Sequence, residues 1–323
     1  MNGVGPKVSV VLVSNRTDDA LRAAVASVTE QDYRPIEIVL HGNGAPIDLE
    51  VSPAPGLTVR RGASERNLGV AGGRNAAAAL AGGEALMFLD DDAILRPGAL
   101  RRAVEALESA SEVGAVALRV IDPVTGRTAL WYQPGDADVR GAEAFDASSF
   151  IGCGNLVRRS CFDRLNGFWD GYFREMEEID FSWRLVDLGL RIRYEPEAVV
   201  EHPERSKRHL RHSAASNLLL VWRLLPAPLA LRQTCCKLVI FVLRALRHGE
   251  LGELGRGMAD ALRGARRLRS ERSPLSPATV LYLRRVHAPQ GLGKRLQWSL
   301  RSLEAPAPTA VAASSTGAPG RPA

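Results

Sequence analysis

The sequence predicts an α/β fold, a mostly parallel central sheet with helices on both faces. Three observations predict it. Short apolar, β-branched runs alternate with helix-period segments through the first hundred residues, an order that demands crossover connections and parallel pairing. Ala85-Leu-Met-Phe-Leu89 is apolar throughout, as strands covered on both faces are. The chain has 323 residues, 46% apolar and 24% charged, enough for one large core or two modest ones. That excludes a disulfide-stapled mini-domain and a wholly disordered chain.

The elements follow in order. Val8-Ser-Val-Val-Leu-Val13 is a strand that stops at Ser14-Asn15-Arg16, and Leu21, Val25 and Val28 mark the apolar face of a helix after it. Ile36 to Leu40 is a second strand, broken at His41-Gly-Asn-Gly44. A weak third strand runs from Leu57 to Arg60, an Ala-rich helix from Arg74 to Leu80, and a buried strand from Ala85 to Leu89 into Asp90-Asp91-Asp92. Ligands bind at the carboxyl ends of such strands. Further on come a strand at Ala115 to Val120, a polar stretch through residue 149, and a strand-like run from Phe150 to Val157. A helix from about Glu177 to Leu188 follows, then strand-like runs at Arg191 to Tyr194 and Ala198 to Val200. Residues 213–247 are apolar and Arg-punctuated, and Pro226 and Pro228 interrupt them. Their uninterrupted stretches are too short to span a bilayer, which fits an interfacial helical hairpin or a helix pair packed on a domain. The expected organisation is a catalytic domain over 1–206, a basic, partly apolar helical extension over 207–304, and a disordered Ala/Pro/Ser/Thr/Gly tail over 305–323.

Charge divides the chain. Residues 1–202 carry 21 Lys/Arg against 30 Asp/Glu, and residues 203–323 carry 21 against 6. An acidic body followed by a basic arm suits an anionic partner such as lipid headgroups, although a solvated helical face is the plainer reading. The arm has few interleaved aromatics and no recognisable motif, so no nucleic acid is expected. Cys153, Cys161, Cys235 and Cys236 form no CxxC pair and have no histidine at metal-finger spacing, which calls for neither disulfide nor zinc. The start of the chain shows no signal-peptide pattern, so a cytoplasmic location is expected.

Three segments carry the candidate chemistry. Phe88-Leu-Asp-Asp-Asp92 ends an apolar strand in three adjacent carboxylates, whose burial needs a positive counter-charge. A hard cation such as Mg2+ or Mn2+ accepts carboxylate oxygens and keeps positions open for phosphates; the alternative is a solvated acidic turn. Arg66-Asn-Leu-Gly-Val-Ala-Gly-Gly-Arg-Asn75 sets glycines before a helix, where backbone N–H groups and Arg74 can meet an anion. It matches neither the dinucleotide fingerprint nor the P-loop, and ordinary turn chemistry also explains it. Glu177, Glu178 and Asp180 crowd the first turn of a helix, where the dipole favours negative charge. A carboxylate there can also serve as general base towards a hydroxyl. His202 is either a further metal ligand or a structural histidine.

Five elements in this order resemble the family 2 inverting glycosyltransferases of GT-A fold, most closely the rhamnosyltransferase-like branch that builds bacterial surface polysaccharides. They are the first strand with Asn15-Arg16, the Arg66 to Asn75 loop, the Asp triplet, Gly152-Cys-Gly-Asn-Leu-Val-Arg158 leading into Asn166-Gly-Phe-Trp-Asp170, and Glu177-Glu-Ile-Asp180 followed by His202. The resemblance covers Val8 to about Ser206. It implies a metal and diphosphate site at Asp90 and Asp92 with His202, and Asp91 near the ribose. Ser14, Asn15, Arg16, Asn43 and Arg74 then fall at donor-binding positions, with Gly152, Gly154, Asn155 and Trp183 on the acceptor side. It makes Glu178 the base and Asp180 its conformational neighbour. The implied reaction is metal-assisted sugar transfer, with inversion, from a nucleoside diphosphate sugar (dTDP-rhamnose or a UDP-sugar) to a glycan or lipid-linked acceptor. Arg205, Lys207, Arg208 and Arg211 before the apolar segment and Arg263, Arg266, Arg267 and Arg269 after it would set the site beside an anionic membrane surface. The chain departs from the family at Gly42-Asn43-Gly44-Ala45, where an acid is usual, and His41 is the candidate to replace it. A nucleotidyltransferase and a catalytically inactive sugar-nucleotide-binding protein are the alternatives; the first lacks its Gly-rich, Lys-bearing loop.

Overall fold

A computed structural model of the chain describes residues 5–126, 128, 143–203 and 209–287. The expected tail over 305–323 and the basic residues Arg205, Lys207 and Arg208 lie outside the described residues. The body runs β1 (Val8–Ser14), α1 (Asp19–Thr29), β2 (Ile36–Asn43), β3 (Leu57–Ser64), α2 (Gly69–Leu80), β4 (Ala85–Asp90), β5 (Ile94–Leu95), α3 (Ala99–Glu108) and β6 (Val113–Ile121). It continues with β7 (Phe145–Ala147), β8 (Gly154–Arg158), α4 (Arg159–Arg164), α5 (Glu177–Asp187) and β9 (Arg191–Glu201). Five helices follow: α6 (Leu210–Leu224), α7 (Ala227–His248), α8 (Leu251–Ala265), α9 (Leu268–Glu271) and α10 (Pro277–His287).

The strand order is β3-β2-β1-β4-β8-β6-β9-β5, with β7 also on β9. β3, β2, β1, β4, β6 and β9 run one way, and β8, β5 and β7 run against their neighbours. The mostly parallel α/β sheet expected from the sequence is therefore present. Alternation along the strands feeds two cores. Val8, Val10, Leu12, Met87 and Leu89 pack under α1 and α3. Val11, Leu86 and Phe88 pack under α2, α4 and α5. Phe168 sits between Phe88 and Phe181, with ring centroids at 5.0 and 5.3 Å, and joins α5 to the sheet.

Two polar devices fix the first strands and helix. Asp18 caps α1 by accepting from Leu21 N–H at 3.1 Å, worth about 1 kcal/mol. Glu37 is 1% exposed. It accepts from Lys7 Nζ at 2.8 Å, Ser9 Oγ at 2.6 Å, Arg60 Nε at 2.9 Å and Gly82 N–H at 2.6 Å. β1, β2, β3 and the loop after α2 are thus tied to one buried carboxylate.

Several elements differ from the sequence reading, each for a local reason. α2 opens at Gly69, five residues before the expected Arg74, because Asn43 Oδ1 accepts from Leu68 N–H and Asn43 Nδ2 donates to the Gly69 carbonyl. The expected strand from Phe150 begins only at Gly154, since residues 150–153 turn back on Asn155, whose Nδ2 donates to the Ile151 carbonyl at 2.8 Å. The runs at 191–194 and 198–200 are one strand, β9, with a register shift against β6 where Pro196 interrupts the ladder. Helices α3 and α4 were not anticipated.

The described part of the extension packs on the body, and the described residues form one compact unit. Leu219, Leu220 and Leu224 of α6 meet Trp169 and Tyr172. Phe241 and Ala245 of α7 and Leu254 of α8 close around Leu210 and Ala214 of α6. No described helix is long and apolar enough to cross a membrane.

Candidate active site

The carboxyl ends of β1, β4 and β9 and the turn before β8 meet at one edge of the sheet, where the Asp triplet leaves β4. Arg74 holds this edge together. It reaches out of α2 and is 5% exposed. Its Nη1 donates to Glu177 Oε1 at 2.8 Å, and its Nη2 donates to Asp90 Oδ1 at 2.7 Å and the Gly152 carbonyl at 2.9 Å. A Cβ on Gly152 would lie 2.8 Å from the guanidinium, so only glycine leaves the fork room. One arginine thereby fastens α2, β4, the turn before β8 and the start of α5. Arg74, expected to touch the nucleotide, turns its two terminal nitrogens to protein groups.

Asp91 turns the other way. It accepts from Ser14 Oγ and, at 3.2 Å, from Arg16 Nη2. Burial raises its carboxyl pKa; Ser14 and Arg16 offset this only in part, and Asp90 and Asp92 add to the rise. Arg16 also reaches Asp18 at 2.9 Å and Asp92 at 3.9 Å, while Asn15 is exposed beside it. His202, just past β9, places Nε2 3.3 Å from Asp92 Oδ1 and 3.8 Å from Asp90 Oδ2.

Sequence reasoning did not single out Cys153. Its Sγ, a carboxylate oxygen of Asp90 and an imidazole nitrogen of His202 lie within 4.8 Å of one another. Burial, with Asp90 adding to it, pushes the thiol pKa well up. Nothing in Gly152-Cys153-Gly154 read as more than a turn.

The donor set fits a divalent cation. Asp90, Asp91, Asp92, Glu177 and Glu178 bring five carboxyl groups together, and Arg16 and Arg74 are the guanidinium groups bonded into this cluster. Carboxylates with one imidazole suit Mg2+ or Mn2+.

Glu178 stands one residue beyond the Arg74-bound Glu177. Burial and then the neighbouring Glu177 push its pKa well above the usual carboxylate range. Its Oε2 is shielded from solvent and has no hydrogen-bond partner among the described residues. Asp180 is different. It is fully enclosed, meeting Arg184 Nε at 2.5 Å, Arg223 Nε at 2.9 Å and Tyr172 Oη at 3.1 Å. It therefore anchors α5 to α6 and holds Glu178 in place from behind.

The loop before α5 is strained and strapped. Glu175 and Met176 both have left-handed backbones, φ 66° and 73°, a costly conformation for non-glycine residues. Ser213 Oγ donates to Glu175 Oε2 at 2.6 Å, Ser216 Oγ donates to the Arg174 carbonyl at 2.7 Å, and Val70 N–H donates to the Phe173 carbonyl at 2.8 Å. The serines belong to α6, whose only signal in the sequence was its apolar content.

The remaining expected site residues are structural in their contacts. Asn43 is held by Asn67, Leu68 and Gly69. Asn155 is fully buried and braces the turn at Ile151. Gly154 packs against Val200. Trp183, expected near the acceptor, packs in the seam between α5 and the C-terminal helices with Val221, Leu225 and Ala230. The absent acid at position 42 has a steric cause: a Cβ there would collide with the Ala45 carbonyl. His41 does not replace it, because its Nε2 is 2.7 Å from Ser64 Oγ and its ring lies beside Gly62. A separate groove of about 470 Å³ between α3 and β9 includes Arg102, Glu105 and Arg193 in its walls and shares no residue with the carboxylate cluster.

Residues 9–165 match the family model "Glycosyl transferase family 2". The likeness to that family spans just under half of the chain. The chain is also 30% identical over 171 residues to the pre-mycofactocin glycosyltransferase of Mycobacterium tuberculosis, covering 51% of this chain and 34% of that protein. It is 26% identical over 182 residues to the succinoglycan biosynthesis protein ExoO of Rhizobium meliloti, covering 55% and 51%. The chain thus spans about a third to a half of the length of these relatives. Among solved structures, the mannosyltransferase PcManGT of Pyrobaculum calidifontis, in complex with GDP-Man and Mn2+, superposes with a TM-score of 0.56 at 19% identity over 93% of this chain and 84% of that one. S. aureus TarS 1-349 in complex with UDP-GlcNAc superposes at 0.51, with 15% identity, over 67% and 65%. These likenesses show the fold, the GT-A type expected from the resemblance. The family 2 match ends at residue 165, so Glu178, His202 and the α6 straps lie beyond it.

Proposed function

We propose that the protein transfers a sugar, with inversion, from a nucleoside diphosphate sugar to a hydroxyl of a glycan or lipid-linked acceptor in the cytoplasm. One observation carries the reading: Arg74 ties the base candidate's helix to the carboxylate cluster, so Glu178 and the Asp90, Asp92 and His202 group belong to one rigid edge.

Asp90, Asp92 and His202 would hold a divalent cation, Mg2+ or Mn2+. The cation supplies Lewis-acid neutralisation of the diphosphate leaving group. Asp91, steered by Ser14 and Arg16, faces the position of the donor's ribose. Arg74 acts on the protein, fixing Asp90 and Glu177 rather than the phosphates. Glu178 takes the proton of the acceptor hydroxyl as that oxygen bonds to the anomeric carbon and the bond to the diphosphate oxygen breaks. Its raised pKa makes it a better proton acceptor than an exposed glutamate once ionised. A single displacement needs no covalent enzyme intermediate and inverts the anomeric centre. The donor is dTDP-rhamnose or a UDP-sugar, with PcManGT bound to GDP-Man and TarS to UDP-GlcNAc as precedents for the donor class.

The test is a thermal-shift screen of dTDP-, UDP- and GDP-sugars with Mn2+, followed by turnover with the stabilising donor. A nucleotide sugar is expected to raise the midpoint only with the cation present, and Asp92→Ala to abolish that rise. Unchanged activity in excess chelator removes the metal from the account. Full turnover by Glu178→Gln removes the base.

A further inference from the structure

Helix α7 is amphipathic in an unusual sense. Its buried residues are Ala230, Phe241 and Ala245, which face α6 and α8. Its outer face carries Leu231 (58% exposed), Val239 (57%), Val242 (41%), Leu243 (49%) and Leu246 (61%), with exposed Cys235 among them. The spacings i, i+4, i+8, i+11, i+12 and i+15 place these six on one stripe, about 22 Å long at about 1.5 Å per residue. Soluble surfaces seldom leave an apolar stripe of this kind uncovered.

Charge decides what covers it. The 22 residues of α7 contain no Asp or Glu. Arg232 and Arg247 are exposed beside the stripe, and His248 and Gly249 end the helix. A second copy laid stripe to stripe would bring these guanidinium groups towards their equivalents, whereas an anionic leaflet offers each of them a phosphate. The helix is not long and apolar enough to cross a membrane; on a leaflet it would rest in the interfacial plane with its leucines and valines among the acyl chains. Of the described basic residues that flank this segment, Arg211 and Arg263 bind Asp260, and Arg267 binds Asp170. α6, apolar in sequence, is buried against the body.

We propose that the outer face of α7 docks the protein on a membrane surface rich in anionic lipid, with Leu231, Val239, Val242, Leu243 and Leu246 inserted and Arg232 and Arg247 at the headgroups. The docking is independent of the transferase reading, because the stripe shares no residue with the carboxylate cluster.

The experiment is sedimentation of the full chain with vesicles of phosphatidylcholine alone and of phosphatidylcholine with phosphatidylglycerol, at low and physiological salt, alongside sedimentation velocity without lipid. The wild type is expected to pellet with the anionic vesicles, less so at higher salt, and to stay monomeric without lipid. Val239→Asp with Leu246→Asp, both at exposed positions, should cut the bound fraction at least tenfold at an unchanged melting midpoint. Arg232→Glu with Arg247→Glu should remove the preference for phosphatidylglycerol and leave the core untouched, which gives a second reading should the first pair disturb folding. No pelleting by the wild type overturns the proposal. So does unchanged pelleting by both variant pairs, or a lipid-free dimer that the aspartates dissociate.

Discussion

Glu178 keeps its carboxyl group in surroundings that oppose its charge, with Oε2 shielded from solvent and Glu177 beside it, whose own charge is answered by Arg74. Replacing Glu178 with glutamine keeps the shape and removes the proton acceptor. We expect kcat to fall by about 10²–10⁴-fold, with donor affinity held within about twofold, as read by steady-state kinetics and donor titration. The stability change has the opposite sign. A carboxyl whose pKa is raised on folding takes nothing from stability below its unfolded pKa, about 4.3, and costs progressively more as pH rises towards the folded value. Glu178→Gln is therefore expected to melt higher than wild type at pH 7 and alike at pH 4. A variant that loses activity and stability together would mark Glu178 as structural.

At the scale of elements, the start of α5 is held from two sides. Arg74 pulls on Glu177 from the body, while Ser213, Ser216 and Arg223 of α6 hold Glu175, Arg174 and Asp180. The two left-handed residues between them have no glycine to relieve the strain, so the α6 straps must support the conformation. Removing both hydroxyls in Ser213→Ala with Ser216→Ala is expected to lower kcat by about tenfold and shift the acid limb of the pH–rate profile, because Glu178's surroundings loosen. Donor KM should change little. Arg223→Met leaves Asp180 enclosed with one cation fewer and should cost about 3 kcal/mol in denaturant melts. These straps mark the limit of what the sequence shows. β1, α1, β2, β4 and α5 were legible because their apolar periods are long and their ends carry Asp, Ser or Gly. The Asp triplet was legible because three carboxylates after an apolar run need an explanation. The engagement of Arg74 by protein groups was not, since a guanidinium beside glycines reads alike whether it binds a phosphate or two carboxylates 16 and 103 residues away. Ser213 and Cys153 give no periodic or spacing signal and gain their roles only from tertiary contact.

For the whole molecule, two carboxyl groups pull the pH dependence of stability in opposite directions. Burial alone would raise Glu37, but Gly82 N–H, Lys7, Ser9 and Arg60 outweigh it and bring its pKa down to about 2. Its contribution is fully present above the unfolded pKa, about 4.3, and is lost as pH falls through about 2. Glu178 contributes the reverse slope, on the neutral side of the same unfolded value. Glu37 is tied into β1 to β3 and Glu178 into the start of α5, with no partner in common among their bonded groups, so the effects should add. Glu37→Gln is expected to lower stability at pH 7 by about 3 kcal/mol, the usual cost of breaking a buried ion-pair network, and to flatten the loss between pH 4 and 2. Glu178→Gln should flatten the decline between pH 4 and neutrality. The double variant should show both changes in urea melts at fixed ionic strength. If it keeps the wild-type shape, neither carboxyl governs the pH dependence.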